Sequence, residues 1–188
     1  MAETQDALDE DGLVVQKYES IVLVVLPPEG FGDQILRYAR SSLYNVHVGS
    51  HSVSTESEEF VKGRLQDEFM VDYALADASM DDYSGILIAG GEGTPTLAED
   101  AKVQDLLRAA DRDGKLIAGW GDALAALARA GVVKGHKVTG DARFEQLVVD
   151  AGGKFTGREI VVSKHLVTAR DEGAGIRFGQ ALAEVVRI

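Results

Sequence analysis

The sequence predicts an α/β protein: a three-layer sandwich around a mostly parallel central sheet. Three observations point there. The β-branched run "SIVLVVLPP" at 20–28 is apolar without alternation and is stopped by two prolines, the pattern of a central parallel strand. An amphipathic stretch, "GFGDQILRYARSSL", follows at once. The pairing of buried strand with helix then recurs at "DYSGILIAGGEG" with "TPTLAEDAKVQDLLRAADRDGK", and again at "KLIAGWGDALAALARAG". Strands that alternate with helices pair in parallel and carry helices on both faces.

The first helix presents Ile35, Leu36, Ala39 and Leu43 at helical spacing, with Asp33 placed to cap it. "NVHVGSHS" alternates like a second strand and completes a βαβ start. Across 53–77 the pattern blurs; a glycine-bearing hairpin or edge strands near Gly63 and 69–73 are expected. Thr96 reads as an N-cap with Glu99 as its capping-box partner, and Gly114 ends that helix. The helix after the third buried strand stops at Gly131. "RFEQLVVDAGGKFT" reads as a short helix closed by Gly152 and Gly153, and "REIVVSKHLVTAR" as two strands about a Ser163–Lys164 turn. "DEGAGIRFGQALAEVVRI" is a closing helix weakened by its glycines. Neither a repeat nor a linker interrupts this order, so one domain is expected over 20–188, after a flexible acidic tail at 1–19.

Composition narrows the function. A chain of 188 residues, 45% hydrophobic and 27% charged, suits one soluble core. The apolar runs fall short of the roughly 20 residues that span a bilayer. The start "MAETQDALDEDG" is acidic where an export signal would be basic and then apolar, so a cytoplasmic location is expected. A net charge of −12 argues against nucleic-acid partners. The chain has no cysteine, which excludes disulfides, thiolate metal sites and thiol catalysis. No metal or cofactor is expected. His47 and His51 are four apart but fall on a strand and its exit, where that spacing makes no shared metal face; His136 and His165 lie elsewhere. Ser163, Lys164 and His165 read as a turn and not as a nucleophile–base pair. Trp120 is expected in the core or on a partner surface.

Four pieces in order resemble the ThiJ/PfpI superfamily, the group that includes the Parkinson-associated DJ protein: "VLPPEGFGDQILRYAR", "DYSGILIAGGEG", "KLIAGWGDALAALARAGVVKGHKVTG" and "REIVVSKHLVTARDEG". The resemblance implies a flavodoxin-like sandwich of the class I glutamine amidotransferase type. It also implies a homodimer, with the site at the turn between a strand and the helix that follows. The family's nucleophilic cysteine falls on Gly121, the histidine that often follows it on Asp122, and the acid that partners the thiolate on Gly32. Only the backbone donors have counterparts, at Gly90 or Gly91 and at Asp122. Glycine adopts a strained elbow conformation without the roughly 1–3 kcal/mol that a β-carbon adds.

A catalytically degenerate member is therefore expected, acting as a small-molecule-binding, scaffold or stress-related domain. Glu29, Gly90, Gly91, Gly121 and Asp122 would form a pocket for a small molecule or anion. The competing expectation is a hydrolase- or lyase-type enzyme that uses Glu29 and Asp122 as relocated carboxylates on a small polar substrate. A plainer role for Asp122 is to cap its own helix. The "GDA" turn is also similar to that of the ThiJ/PfpI-like domain of large-subunit catalases, which likewise lacks the cysteine.

Overall fold

The computed structural model describes residues 18–55 and 59–186, together with the backbone of two short strands, β1 (Ala7–Leu8) and β2 (Val14–Val15), which pair antiparallel. Apart from residues 18 and 19, the side chains of the expected acidic tail lie outside the described residues.

The apolar run at the start of the domain forms β3 (Ser20–Leu26). It needs apolar residues on both sides because both are covered: Val22, Val24 and Leu26 enter one core, Leu23 and Val25 the other. The chain continues through β4 (Glu29–Phe31), α1 (Asp33–Tyr44), β5 (Val48–Ser54), β6 (Phe60–Gly63), β7 (Glu68–Met70) and β8 (Tyr73–Ala74). Next come β9 (Gly85–Ile88), α2 (Thr94–Glu99), α3 (Ala101–Arg112), β10 (Leu116–Trp120) and α4 (Ala123–Ala130). It closes with β11 (Lys137–Val138), α5 (Glu145–Asp150), β12 (Lys154–Phe155), β13 (Ile160–Ser163), β14 (Leu166–Ala169) and α6 (Gly175–Val185).

The central sheet runs β13-β14-β10-β9-β3-β5-β8 and is parallel except for the antiparallel edge strand β13. Helices α1 and α6 cover one face; α2, α3 and α4 cover the other. The glycines that weaken α6 as an isolated helix have a packing role. A β-carbon on Gly179 would stand 2.7 Å from the Tyr38 carbonyl oxygen, so only glycine lets α6 come this close to α1.

Two capping expectations need correction. Asp33 is the first residue of α1, behind Gly32, and its carboxylate does not cap the helix. It is buried and accepts the backbone N–H groups of Leu65 (2.8 Å) and Asp67 (3.2 Å), because the hairpin turn between β6 and β7 folds over it. The blurred segment 53–77 thus contains an edge hairpin pinned to the first helix. Thr96 is not a cap either, since α2 has already begun at Thr94, behind Gly93 and with Pro95 in its first turn. Asp100 is the cap: it starts α3 and accepts the N–H groups of Lys102 and Val103. One predicted helix is therefore two, broken where an aspartate offers the following turn a better partner than Glu99 does.

Replacing Asp33 with Ala strands two hairpin N–H groups. A loss of roughly 1–3 kcal/mol in urea unfolding is expected, with faster amide exchange at Leu65 and Asp67 than at the strand β3 amides.

Candidate functional site

Three loops meet beyond the carboxyl ends of β3, β9 and β10, where parallel α/β sheets hold their ligands. The first is 27–32, the second the glycine turn 90–93, and the third the elbow from β10 into α4. They interlock by backbone contact. The Gly32 N–H donates to the Gly90 carbonyl (3.1 Å), the Glu92 N–H to the Gly30 carbonyl (3.0 Å), and Phe31 bridges Gly91. A β-carbon on Gly90 would run into the Trp120 carbonyl, and one on Gly91 into the Gly30 carbonyl. The glycine content of "AGGEG" is thus needed for close packing of one loop on the next.

Gly121 lies at the elbow with φ +54°, in the left-handed region. A β-carbon there would meet nothing nearer than the Arg170 carbonyl oxygen, at 3.9 Å. The apex is therefore spatially open; what disfavours a side chain is the backbone angle. Gly121 is also held on both sides, since its N–H donates to the Ala169 carbonyl (3.0 Å) and its carbonyl accepts from Asp141 N–H (3.1 Å).

Asp122 is the N-cap residue of α4, but its side chain makes no capping bond. The carboxylate is turned to Arg143, whose guanidinium reaches Asp122 Oδ1 at 2.8 Å and Asp141 Oδ2 at 2.9 Å. Arg143 is available because Asp141 caps the short turn that carries it, accepting its N–H. Burial pushes the Asp122 carboxyl above the usual range; the Arg143 charge opposes this and the neighbouring Asp141 adds to it. Asp141 moves the other way, held below the usual range chiefly by its bond to Arg143.

Glu29 is exposed on β4 and lines a cavity of about 320 Å³ with Lys62, Arg64, Gln66 and Glu92. Asp122 does not line that cavity. The carboxylate that does enter the space between the loops is Glu172, in the turn after β14. A β-carbon on Gly32 would lie 2.8 Å from Glu172 Cγ and 2.9 Å from Cδ, so Glu172 fills the volume that a side chain at 32 would need. Arg64, from the hairpin tip, holds Glu172 Oε2 at 2.6 Å. Sequence reasoning missed Glu172, Arg64 and Arg143, because each reaches the site from a loop distant in sequence. The one available signal was the "RDEG" turn directly after a buried strand.

Trp120 is buried in the core, edge-on to Phe178 at 5.8 Å, and its indole N–H has no acceptor among the described residues. His51 donates to or accepts from the Tyr83 hydroxyl at 3.0 Å. Among the described residues no group of three or more His, Asp or Glu is placed to hold a metal ion, and no helix is long and apolar enough to cross a membrane.

A doubly covered parallel sheet with a glycine elbow at its carboxyl edge defines the protein class, and comparison with known proteins gives the family. Residues 20–185 match the DJ-1/PfpI family, and the chain belongs to it. An uncharacterized protein of Methanocaldococcus jannaschii is 28% identical over 169 residues, covering 88% of this chain and 82% of its own. A glutathione-independent glyoxalase of Caenorhabditis elegans is 27% identical, covering 87% of each chain. Among solved structures, a ThiJ/PfpI domain protein from Brachyspira murdochii superposes with a TM-score of 0.83 at 22% identity, covering 91% of this chain and 98% of its own. The fold expected from the sequence is therefore the fold observed.

Two outcomes follow for the site. A β-carbon at φ +54° costs about 1–2 kcal/mol, and the space around Gly121 is open, so Gly121→Ala should lower stability by that amount in urea unfolding without changing the fold. Asp122 has a raised folded-state pKa, so its charged form opposes folding. Its penalty is absent below the unfolded-state pKa and grows as pH rises through that value to the folded one. Arg143 offsets part of that penalty. Arg143→Ala should therefore lower the thermal midpoint at pH 7, and the difference from the parent should narrow as the pH is brought to 4.

Proposed function

We propose that this chain is a DJ-1/PfpI-family protein without the family's cysteine chemistry, a binding or scaffold domain that works as a cytoplasmic homodimer. The domain covers 20–188, and the acidic segment 1–19 is an appendage to it. The observation that carries this reading is Gly121: the elbow has the left-handed backbone of a strained apex and no side chain to react, in a chain with no cysteine anywhere.

The neighbouring acid position supports it. Gly32 carries no carboxylate, and its space is taken by Glu172, which is tied to Arg64. Loss of the nucleophile and loss of its partner are consistent with one another. The relative in Caenorhabditis elegans bears the name of a glyoxalase; that activity, where it depends on a thiol, has no attacking atom here. The donors of Gly90, Gly91 and Asp122 are left to serve a small molecule or anion.

The alternative, an enzyme built on Glu29 and Asp122, is less well supported. Glu29 lines a surface cavity without Asp122, and the Asp122 carboxylate is engaged by Arg143.

Incubating the purified chain with methylglyoxal, and separately with peptide substrates, tests the reading. Turnover no higher than that of Gly121→Asp is expected; turnover clearly above it overturns the proposal. The filled acid position has its own test. Gly32→Glu should destabilise the protein by roughly 1–3 kcal/mol, the range for overpacking. Adding Glu172→Gly to that variant should restore part of the loss, since one of the two obstructing side chains is removed while Ile35 Cγ2, 2.9 Å from the added β-carbon, remains.

A further inference from the structure

A second cavity, of about 410 Å³, lies beside the β5–β8 edge of the central sheet, and its lining includes Ile21, His51, Tyr73, Asp77, Asp82 and Tyr83. Its aromatic side chains form one unit. The His51 ring stands edge-on to Tyr73 (6.3 Å, 79°) and to Tyr83 (5.8 Å, 83°). His51 Nδ1 is 3.0 Å from the Tyr83 hydroxyl, and the Tyr83 and Tyr73 hydroxyls bond each other. Their hydroxyls are committed to one another; Tyr83 is buried and Tyr73 half-buried, so the ring accessible from the cavity is chiefly that of Tyr73. Burial, and next the bond to Tyr83, push the Tyr73 phenol well above its ordinary range, so it stays neutral.

Ser79 and two exposed carboxylates, Asp77 and Asp82, complete the lining, and neither carboxylate has an ion-pair partner among the described residues. Lys115 donates to the Met80 carbonyl and keeps its charge, but it makes no ion pair with either aspartate. A neutral aromatic wall beside unneutralised carboxylates attracts a cation through both ring quadrupole and charge. The described residues offer no ligand set for a metal ion, so the cation that fits is organic.

We propose that this cavity binds a small primary alkylammonium, with the ammonium against Asp77 and Asp82 and the alkyl chain along Ile21 and the tyrosine rings. This site is independent of the elbow and of the function proposed for it.

Isothermal titration of the full chain at low salt, with n-butylammonium, n-butanol and butyrate as probes, tests the proposal. The expected result is saturable one-to-one binding of n-butylammonium, with the alcohol and the acid weaker by about tenfold or more. Changing Asp77 and Asp82 together to Asn should weaken binding about tenfold, with little change in thermal midpoint, because neither carboxylate carries a structural partner. Tyr73→Leu should weaken it about fivefold, while Tyr73→Phe keeps it within about twofold, since the ring face and not the hydroxyl meets the cation. No saturable binding of n-butylammonium, n-butanol bound as tightly, or unchanged affinity in the double Asn variant would each overturn the proposal.

Discussion

Close backbone approach between three loops is the constraint on which the site depends. Gly90 fits under the Trp120 carbonyl, Gly91 against Gly30, and Gly93 beside the Glu29 carbonyl; at each contact a methyl group would overlap a neighbour's backbone. Close packing of this kind leaves no room for relaxation, and interiors this dense transmit strain instead of absorbing it. The elbow therefore keeps its shape whether or not a reactive group stands on it. Gly121 is the exception in the set: its glycine is required by dihedral angle alone, because the space around it is open. Sterics hold the frame, and backbone conformation alone separates position 121 from one that carries a side chain.

The carboxylates around this frame divide by what holds them. Asp33 is buried, and two hairpin N–H groups satisfy it, so it joins the edge hairpin to the first helix. Through that hairpin it also positions Arg64, which in turn fixes Glu172 over Gly32. Asp122 is pulled away from its own helix by Arg143. Each acid meets a partner from another loop, so the site is a set of cross-loop ties, and the electrostatics at the elbow depend on segments that no local motif contains.

That explains how much of the molecule was legible in the chain. The sheet, the helices and the elbow were readable because the relevant signals are local: a β-branched run ending at Pro27 and Pro28, helical spacing at Ile35, Leu36, Ala39 and Leu43, and glycines at helix ends. The resemblance placed Gly121 at the turn, and it lies there with a left-handed backbone. The capping expected at Asp33, Thr96 and Asp122 is not made, because a side chain that can bond its own helix will leave it for a better-placed donor across the fold, or because the helix begins elsewhere. The occupant of the acid position was not readable, since Gly32 and Glu172 are brought together only by the order of strands in the sheet. Periodicity reports on burial; it does not report on which distant turn delivers a charge.

The elbow retains an open apex at Gly121 with no side chain that could react. The most direct measurement is alkylation of a Gly121→Cys variant by iodoacetamide in the folded state, followed by mass spectrometry beside the same variant in urea. Because the nearest atom to a β-carbon at 121 is 3.9 Å away, the thiol should be labelled in the folded protein at a rate comparable to that of the unfolded chain. A folded-state thiol that resists labelling until the protein is unfolded would mean that the apex is closed, and would contradict the account.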